Sequence, residues 1–172
     1  MNLQLLSGSQ WKSILKWTLY SVLFLFSMLF QSSVLPRIPI GGICLSCVPV
    51  CAACVALEEG AESSALYALI CALFYGLSGV SVGPLYIVTL PFSAVICGLI
   101  SEHYCTKNIL SALLLGLIAL VICLVPVFLF RVYAGNVSGV YWHTVLIPEL
   151  LLSLLTVPLL RLCTKSSGKI GR

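Results

Sequence analysis

Residues 44–54 read Cys-Leu-Ser-Cys-Val-Pro-Val-Cys-Ala-Ala-Cys, which sets Cys44, Cys47, Cys51 and Cys54 at C-x2-C-x3-C-x2-C. In a soluble cytosolic chain that spacing points to thiolate ligation of zinc or of an iron–sulfur cluster. Helix geometry opposes the metal reading. Steps of three, four and three keep the four thiols on one face within about 80°, but spread them roughly 15 Å along the axis. Sulfurs that share one zinc lie within about 5 Å of each other, so a site would need the helix to break, and only Pro49 offers a break. The cluster run C-x2-C-x2-C-x3-C is not matched either. The competing reading is mechanical: with Ser46, Ala52, Ala53 and Ala56 the cysteines make a small-residue face on which another helix packs closely. No metal or cofactor is expected. Nine cysteines, with no motif among Cys71, Cys97, Cys123 and Cys163, imply no disulfide framework.

Glu149 is the second candidate. It lies about eight residues, roughly 12 Å, into an apolar run, deep enough that an unpaired ionised carboxylate costs several kcal/mol. It must be neutral, paired or in contact with water. Pro148 just before it removes a backbone donor, which predicts a kinked helix with a polar pocket. Two readings stay open: a polar contact to a neighbouring helix or partner, and an interfacial carboxylate reaching water.

The remaining reactive residues form no catalytic pattern. His103 and His143 have no second histidine at ligand spacing, H-E-x-x-H and G-x-S-x-G do not occur, and all five acidic residues are glutamates. Glu58, Glu59 and Glu62 are expected to be a solvated cap on a turn. Catalysis is therefore not expected.

The elements that position these residues follow from composition. Of 172 residues 60% are hydrophobic and 8% charged, and the mean hydropathy is +1.15. That is an all-α integral membrane protein in a lipid bilayer, because each span takes about 20 apolar residues and lipid leaves every backbone group to be satisfied within the helix. Six transmembrane helices are expected, at about 17–36, 38–57, 63–77, 84–101, 108–130 and 141–162, in one domain with no soluble part. The first is read as a retained helix rather than a signal peptide, since no A-x-A site follows it. Lys12, Lys16, Lys107, Arg161, Lys165, Lys169 and Arg172 fall on one side and Arg37 and Arg131 on the other, which puts both termini in the cytoplasm (N-in/C-in). Nucleic acid is not expected as a partner, because the basic residues stand singly beside apolar runs. Gly76, Gly79 and Gly83 fall in the short connection between spans three and four, where they allow a tight re-entry, with Pro84 opening the next helix. The longest external loop, 133–143, carries Tyr133, Tyr141 and Trp142, and Asn136-Val-Ser138 fits a glycosylation sequon.

Three stretches resemble the MreD family of the bacterial rod-shape machinery: ALYALICALFYGLSGVSVGPLY (65–86), LISEHYCTKNILSALLLGLIALVI (99–122) and VLIPELLLSLLTVPLLRLCTK (145–165). The first is similar to the family's hairpin, with Gly76 where the pattern has a turn aspartate. The third is similar to its closing helix, with Pro148, then Ser153 in place of the usual asparagine, then Pro158-Leu-Leu and a basic tail. The resemblance implies a non-enzymatic scaffold of the bacterial cell membrane. It would bind MreC and through it a RodA-type glycosyltransferase with a class B penicillin-binding protein, over cytoplasmic MreB filaments. It also implies that the cysteine face and the Pro148–Ser153 region are partner or helix-packing positions.

The MreD plan is itself similar to that of the substrate-binding S-components of energy-coupling-factor vitamin transporters, which is the alternative reading. Those proteins present an Ala-x3-Ala face on the first helix, whereas this chain has neither Ala nor Gly from Ser9 to Ile40. A small-molecule pocket would have to draw on Asn136, Tyr141, Trp142, His143 and Glu149.

Overall fold

The computed structural model describes residues 8–31, 46–77, 83–133 and 146–170. Among these residues the chain is helical, without strands. In order, the helices are α1 (Gly8–Leu29), α2 (Cys47–Glu59), α3 (Ala61–Leu77), α4 (Gly83–Tyr104), α5 (Ile109–Tyr133), α6 (Ile147–Leu155) and α7 (Val157–Ile170). Four segments among the described residues are long and apolar enough to cross a membrane: Gln10–Leu29, Pro84–Tyr104, Ile109–Tyr133 and Ile147–Ser166. The chain is thus a helical membrane protein. Its outer faces agree, since Val22, Phe26, Leu66, Ile70, Val88, Leu114 and Leu159 are all exposed large apolar side chains, which lipid covers at no cost.

At the centre stands α2, only 13 residues long. Every residue from Cys47 to Leu57 is buried, and all six other helices touch it. Its sequence permits this, because a helix that is apolar on all sides and rich in Cys and Ala can be packed closely on every face. Small residues set the distances around it. Val48, Ala52 and Val55 pack with Ala68, Ala72, Ala94 and Cys123, while Ala53, Cys54, Ala56 and Leu57 pack with Cys97, Ala112, Leu115, Ala119 and Val157. Glycines allow two close crossings. A Cβ on Gly98 would lie 2.7 Å from the Ala61 backbone nitrogen, so α4 meets the start of α3 almost backbone to backbone, and one on Gly116 would lie 2.9 Å from Val157 Cγ2, so the Val157 side chain of α7 seats directly over the α5 backbone.

Gly60 turns the chain from α2 straight into α3. Its φ of 83° and ψ of −175° lie where only glycine sits without strain. The α3–α4 pair packs more extensively than any other, and Pro84 stands in the first turn of α4, where its missing N–H is no loss.

Two boundaries depart from the sequence expectation, and a third falls partly outside the described residues. The first helix starts at Gly8 rather than near residue 17, so Lys12 and Lys16 lie within it. The described part of the second is Cys47–Glu59, and residues 38–45 lie outside the described residues. The last is two helices rather than one kinked at Pro148. Pro148 sits in the opening turn of α6, and the break falls at Thr156, whose N–H and hydroxyl both donate to Ser153 O, at 3.1 and 2.7 Å. Pro158, two residues on, has no N–H to carry the α6 ladder across that point.

Candidate functional site

Polar side chains gather at the two ends of α2. At its C-terminal end Glu58 is gripped from α7 and from the turn between α4 and α5. Arg161 of α7 donates from Nη1 to Glu58 Oε1 and from Nη2 to Lys107 O at 2.9 Å. Lys107 Nζ donates to Glu58 O at 2.7 Å and reaches Glu58 Oε2 at 3.4 Å. The Arg161 and Glu58 side chains are 4% and 9% exposed, so this pair is enclosed. Glu59 turns toward α1, taking hydrogen bonds from Lys16 Nζ at 2.7 Å and from the Tyr20 hydroxyl at 2.9 Å. The Tyr67 hydroxyl donates to Tyr20 O at 2.8 Å, which ties α3 into the same knot. Glu102 closes the turn beyond, accepting from Ala61 N at 2.8 Å.

This corrects the expectation of a solvated acidic cap. Glu58 and Glu59 are structural ions paired with cations from α1, the α4–α5 turn and α7, and only Glu62 is exposed. A signal is present in the sequence, since carboxylates at the edge of an apolar bundle need counter-charges and Lys16, Lys107 and Arg161 also stand at the ends of apolar runs.

At the N-terminal end, the amides that α2 itself cannot satisfy find side chains from distant segments. Gln31, two residues beyond α1, accepts from Cys47 N at 3.1 Å and Val48 N at 3.4 Å, and donates to the Tyr75 hydroxyl at 3.0 Å. Ser153 of α6 accepts from Ser46 N at 2.9 Å, and the Ser46 hydroxyl donates to Glu149 Oε1 at 3.0 Å. Tyr86 brings its hydroxyl within reach of Ser46 and packs edge-on against Tyr75 at 5.0 Å. Glu149 is half-buried, with Arg131 of α5 within electrostatic reach.

The cysteines occupy the interior of this arrangement. Cys47, Cys51 and Cys54 are all buried, at 4% exposure or less, and Cys51 Sγ lies 3.8 Å from the Tyr67 hydroxyl. They pack on this chain's own helices. Among the described residues no group of three His, Cys, Asp or Glu side chains could hold a metal ion. Cys44 and Gly79 lie outside the described residues, as do Asn136, Tyr141, Trp142 and His143. Gly76 is half-buried at the end of α3, Gly83 is the first residue of α4, and Pro158 is half-buried beside the α6–α7 break. The structure therefore joins Glu149 and Ser153 to the α2 N-terminus and leaves the glycines and Pro158 to the turns. The sequence reading missed Gln31, Ser46, Tyr75 and Tyr86 there; a glutamine close to an apolar run was the one available hint.

Two apolar grooves flank α1. One, of about 670 Å³, runs between α1 and α3 and includes Trp17, Phe24, Tyr67, Ile70 and Phe74. The other, of about 460 Å³, runs between α1 and the α6–α7 break and includes Phe26, Phe30, Cys47, Thr156, Leu159 and Cys163. Both can take apolar chains or helices. No family model, curated protein or solved structure matches this chain.

Proposed function

We propose that the chain is a non-catalytic scaffold subunit of the bacterial elongation machinery, in the manner of the MreD family that stretches 65–86, 99–122 and 145–165 resemble. On this reading it spans the cell membrane six times with both termini cytoplasmic, and the Glu58–Glu59 knot lies at the cytoplasmic end. It binds MreC, and through it a RodA-type glycosyltransferase with a class B penicillin-binding protein, and so helps couple MreB to peptidoglycan synthesis and cell shape. The observation that carries the reading is the enclosed α2. The polar groups at both its ends hydrogen-bond within the chain, the centre of the bundle is filled by its side chains, and what the molecule offers outward is apolar helix surface with two grooves. That is a body for holding other helices.

One observation favours the alternative of a vitamin-binding S-component. Gln31, Ser46, Tyr75, Tyr86, Glu149 and Ser153 converge at one end of the bundle, as the few polar groups of a small-molecule site would. A ligand there would have to displace the bonds they make with one another.

A mild-detergent pull-down of the tagged protein from its native membrane, with mass spectrometry of proteins and small molecules, separates the two. Recovery of MreC with the synthase pair is the expected result. Recovery of a coupling subunit with ATPases, or of a stoichiometric vitamin, overturns it.

A further inference from the structure

The two halves of the broken last segment hold α2 in different ways. α7 is pinned by packing and by charge: Val157, Leu160, Arg161 and Thr164 are buried, Val157 seats over Gly116, and Arg161 closes the pair with Glu58. Within α6 only Ser153 is buried. Leu150 and Leu154 are partly buried, Ile147, Leu151 and Leu155 are exposed, and a single buried apolar side chain, Leu146, anchors the entry to the helix. What fixes α6 to α2 is a pair of hydrogen bonds to one residue. Ser46 donates its N–H to Ser153 Oγ at 2.9 Å and its hydroxyl to Glu149 Oε1 at 3.0 Å. Ser153 belongs to the break as well, since its carbonyl takes both the N–H and the hydroxyl of Thr156. Thr156 in turn stands within hydrogen-bond reach of the Cys47 thiol, which is buried at 4% exposure.

We propose that α6 is a strap, hinged at Thr156 and latched on Ser46, which opens as a unit while α7 and the rest of the bundle stay folded and so uncovers the N-terminal end of α2. Lifting α6 breaks two hydrogen bonds and frees Leu146 and two half-buried leucines. Moving α7 would strip four buried side chains and part an enclosed ion pair, so the cheaper opening is that of α6. The break permits it, because Pro158 has no N–H to carry the ladder from one half to the other. The latch is matched in charge, with the Glu149 carboxylate held at the positive end of the α2 dipole. Once α6 lifts, Ser46 loses both partners, Thr156 leaves Cys47, and the polar end that Gln31, Tyr75 and Tyr86 share with Ser46 is open. The strap goes beyond the scaffold reading and does not depend on it.

The test is N-ethylmaleimide labelling, in detergent, of the full chain carrying Cys44→Ser, Cys105→Ser and Cys163→Ser, with the modified thiols located by mass spectrometry and amide hydrogen exchange followed alongside. Ser153→Ala, which removes the acceptor for Ser46 N–H, should raise Cys47 labelling at least about tenfold over this parent and speed exchange across α6, with Cys97, Cys123 and the α7 amides unchanged. Ser46→Ala keeps the N–H bond and removes only the Glu149 arm, so it should give a smaller rise, about threefold. Gln31→Ala, which removes the other acceptor at the same end of α2 from the α1 side, should leave α6 exchange at the parent's rate. Unchanged Cys47 labelling in both serine variants, labelling of Cys97 and Cys123 alongside Cys47 in the milder Ser46→Ala, equal acceleration of α6 and α7, or acceleration of α6 by Gln31→Ala overturns the proposal.

Discussion

Arg161 and Glu58 stand 103 residues apart in the chain and close an ion pair that is almost wholly enclosed, joining the end of α2 to α7. Lys107 joins the same carboxylate from the turn before α5. Breaking such a pair from one side leaves a buried charge without its counter-charge. Arg161→Met is therefore expected to lower stability by about 3–5 kcal/mol, and the double variant Arg161→Met/Glu58→Gln to recover part of that loss. Thermal unfolding in a fixed detergent checks both. Equal stability of Arg161→Met and the parent would mean that the pair does not hold the bundle.

Gly60 is the tightest backbone constraint at this end. Alanine there meets the unfavourable φ of 83° and would run its Cβ into the Glu102 carboxylate. Gly60→Ala should cost about 1–3 kcal/mol. Adding Glu102→Ala should not restore the parent, because the backbone strain remains and Ala61 N loses its acceptor. Unfolding of the three variants side by side measures this.

The first helix hangs on few polar ties. Lys16 and Tyr20 hold Glu59 near its N-terminal half, Tyr67 holds Tyr20 O, and Gln31 ties its far end to α2. Lys16→Met combined with Tyr20→Phe leaves Glu59 half-enclosed without a partner. The expected outcome is faster amide hydrogen exchange across α1 with α4 and α5 unchanged, since local opening follows the local loss of contacts. Uniform acceleration would instead mean global destabilisation.

Thiol labelling reports the enclosure of α2 directly. Cys163 is exposed and Cys105 intermediate, whereas Cys47, Cys51, Cys54, Cys71, Cys97 and Cys123 are buried. In detergent, Cys163 and then Cys105 should react with a maleimide within minutes, and the six buried thiols only after denaturation. Fast labelling of Cys51 or Cys54 would contradict the central position of α2.

Much of this was legible in the sequence. The apolar runs marked α3, α4 and α5 to within a few residues, because lipid permits little besides a helix where twenty apolar residues run together, and Pro84 marked the opening of α4. The cysteine spacing is compatible with a helix, and Cys47, Cys51 and Cys54 are buried within it. The burial of α2 on every side was harder to see, since a short apolar helix reads the same whether it faces lipid or protein. The role of Glu58 and Glu59 was hidden for a different reason: their partners Lys16, Lys107 and Arg161 come from three distant segments, and adjacency in space is set by the tertiary packing. The break at Thr156 was hard to read because the segment carries two prolines of opposite effect: an opening turn accommodates Pro148, whereas Pro158 interrupts a ladder already under way.

The most direct measurement of the central claim is conditional depletion of the protein in its native host, followed by cell dimensions under the microscope and the distribution of labelled synthase along the membrane. The scaffold account predicts that rods widen and round as the protein is lost, with the synthase dispersing from its moving sites. Cells that keep their rod shape but come to require an external vitamin for growth would contradict it and turn the convergence at Ser46 and Glu149 into a ligand site.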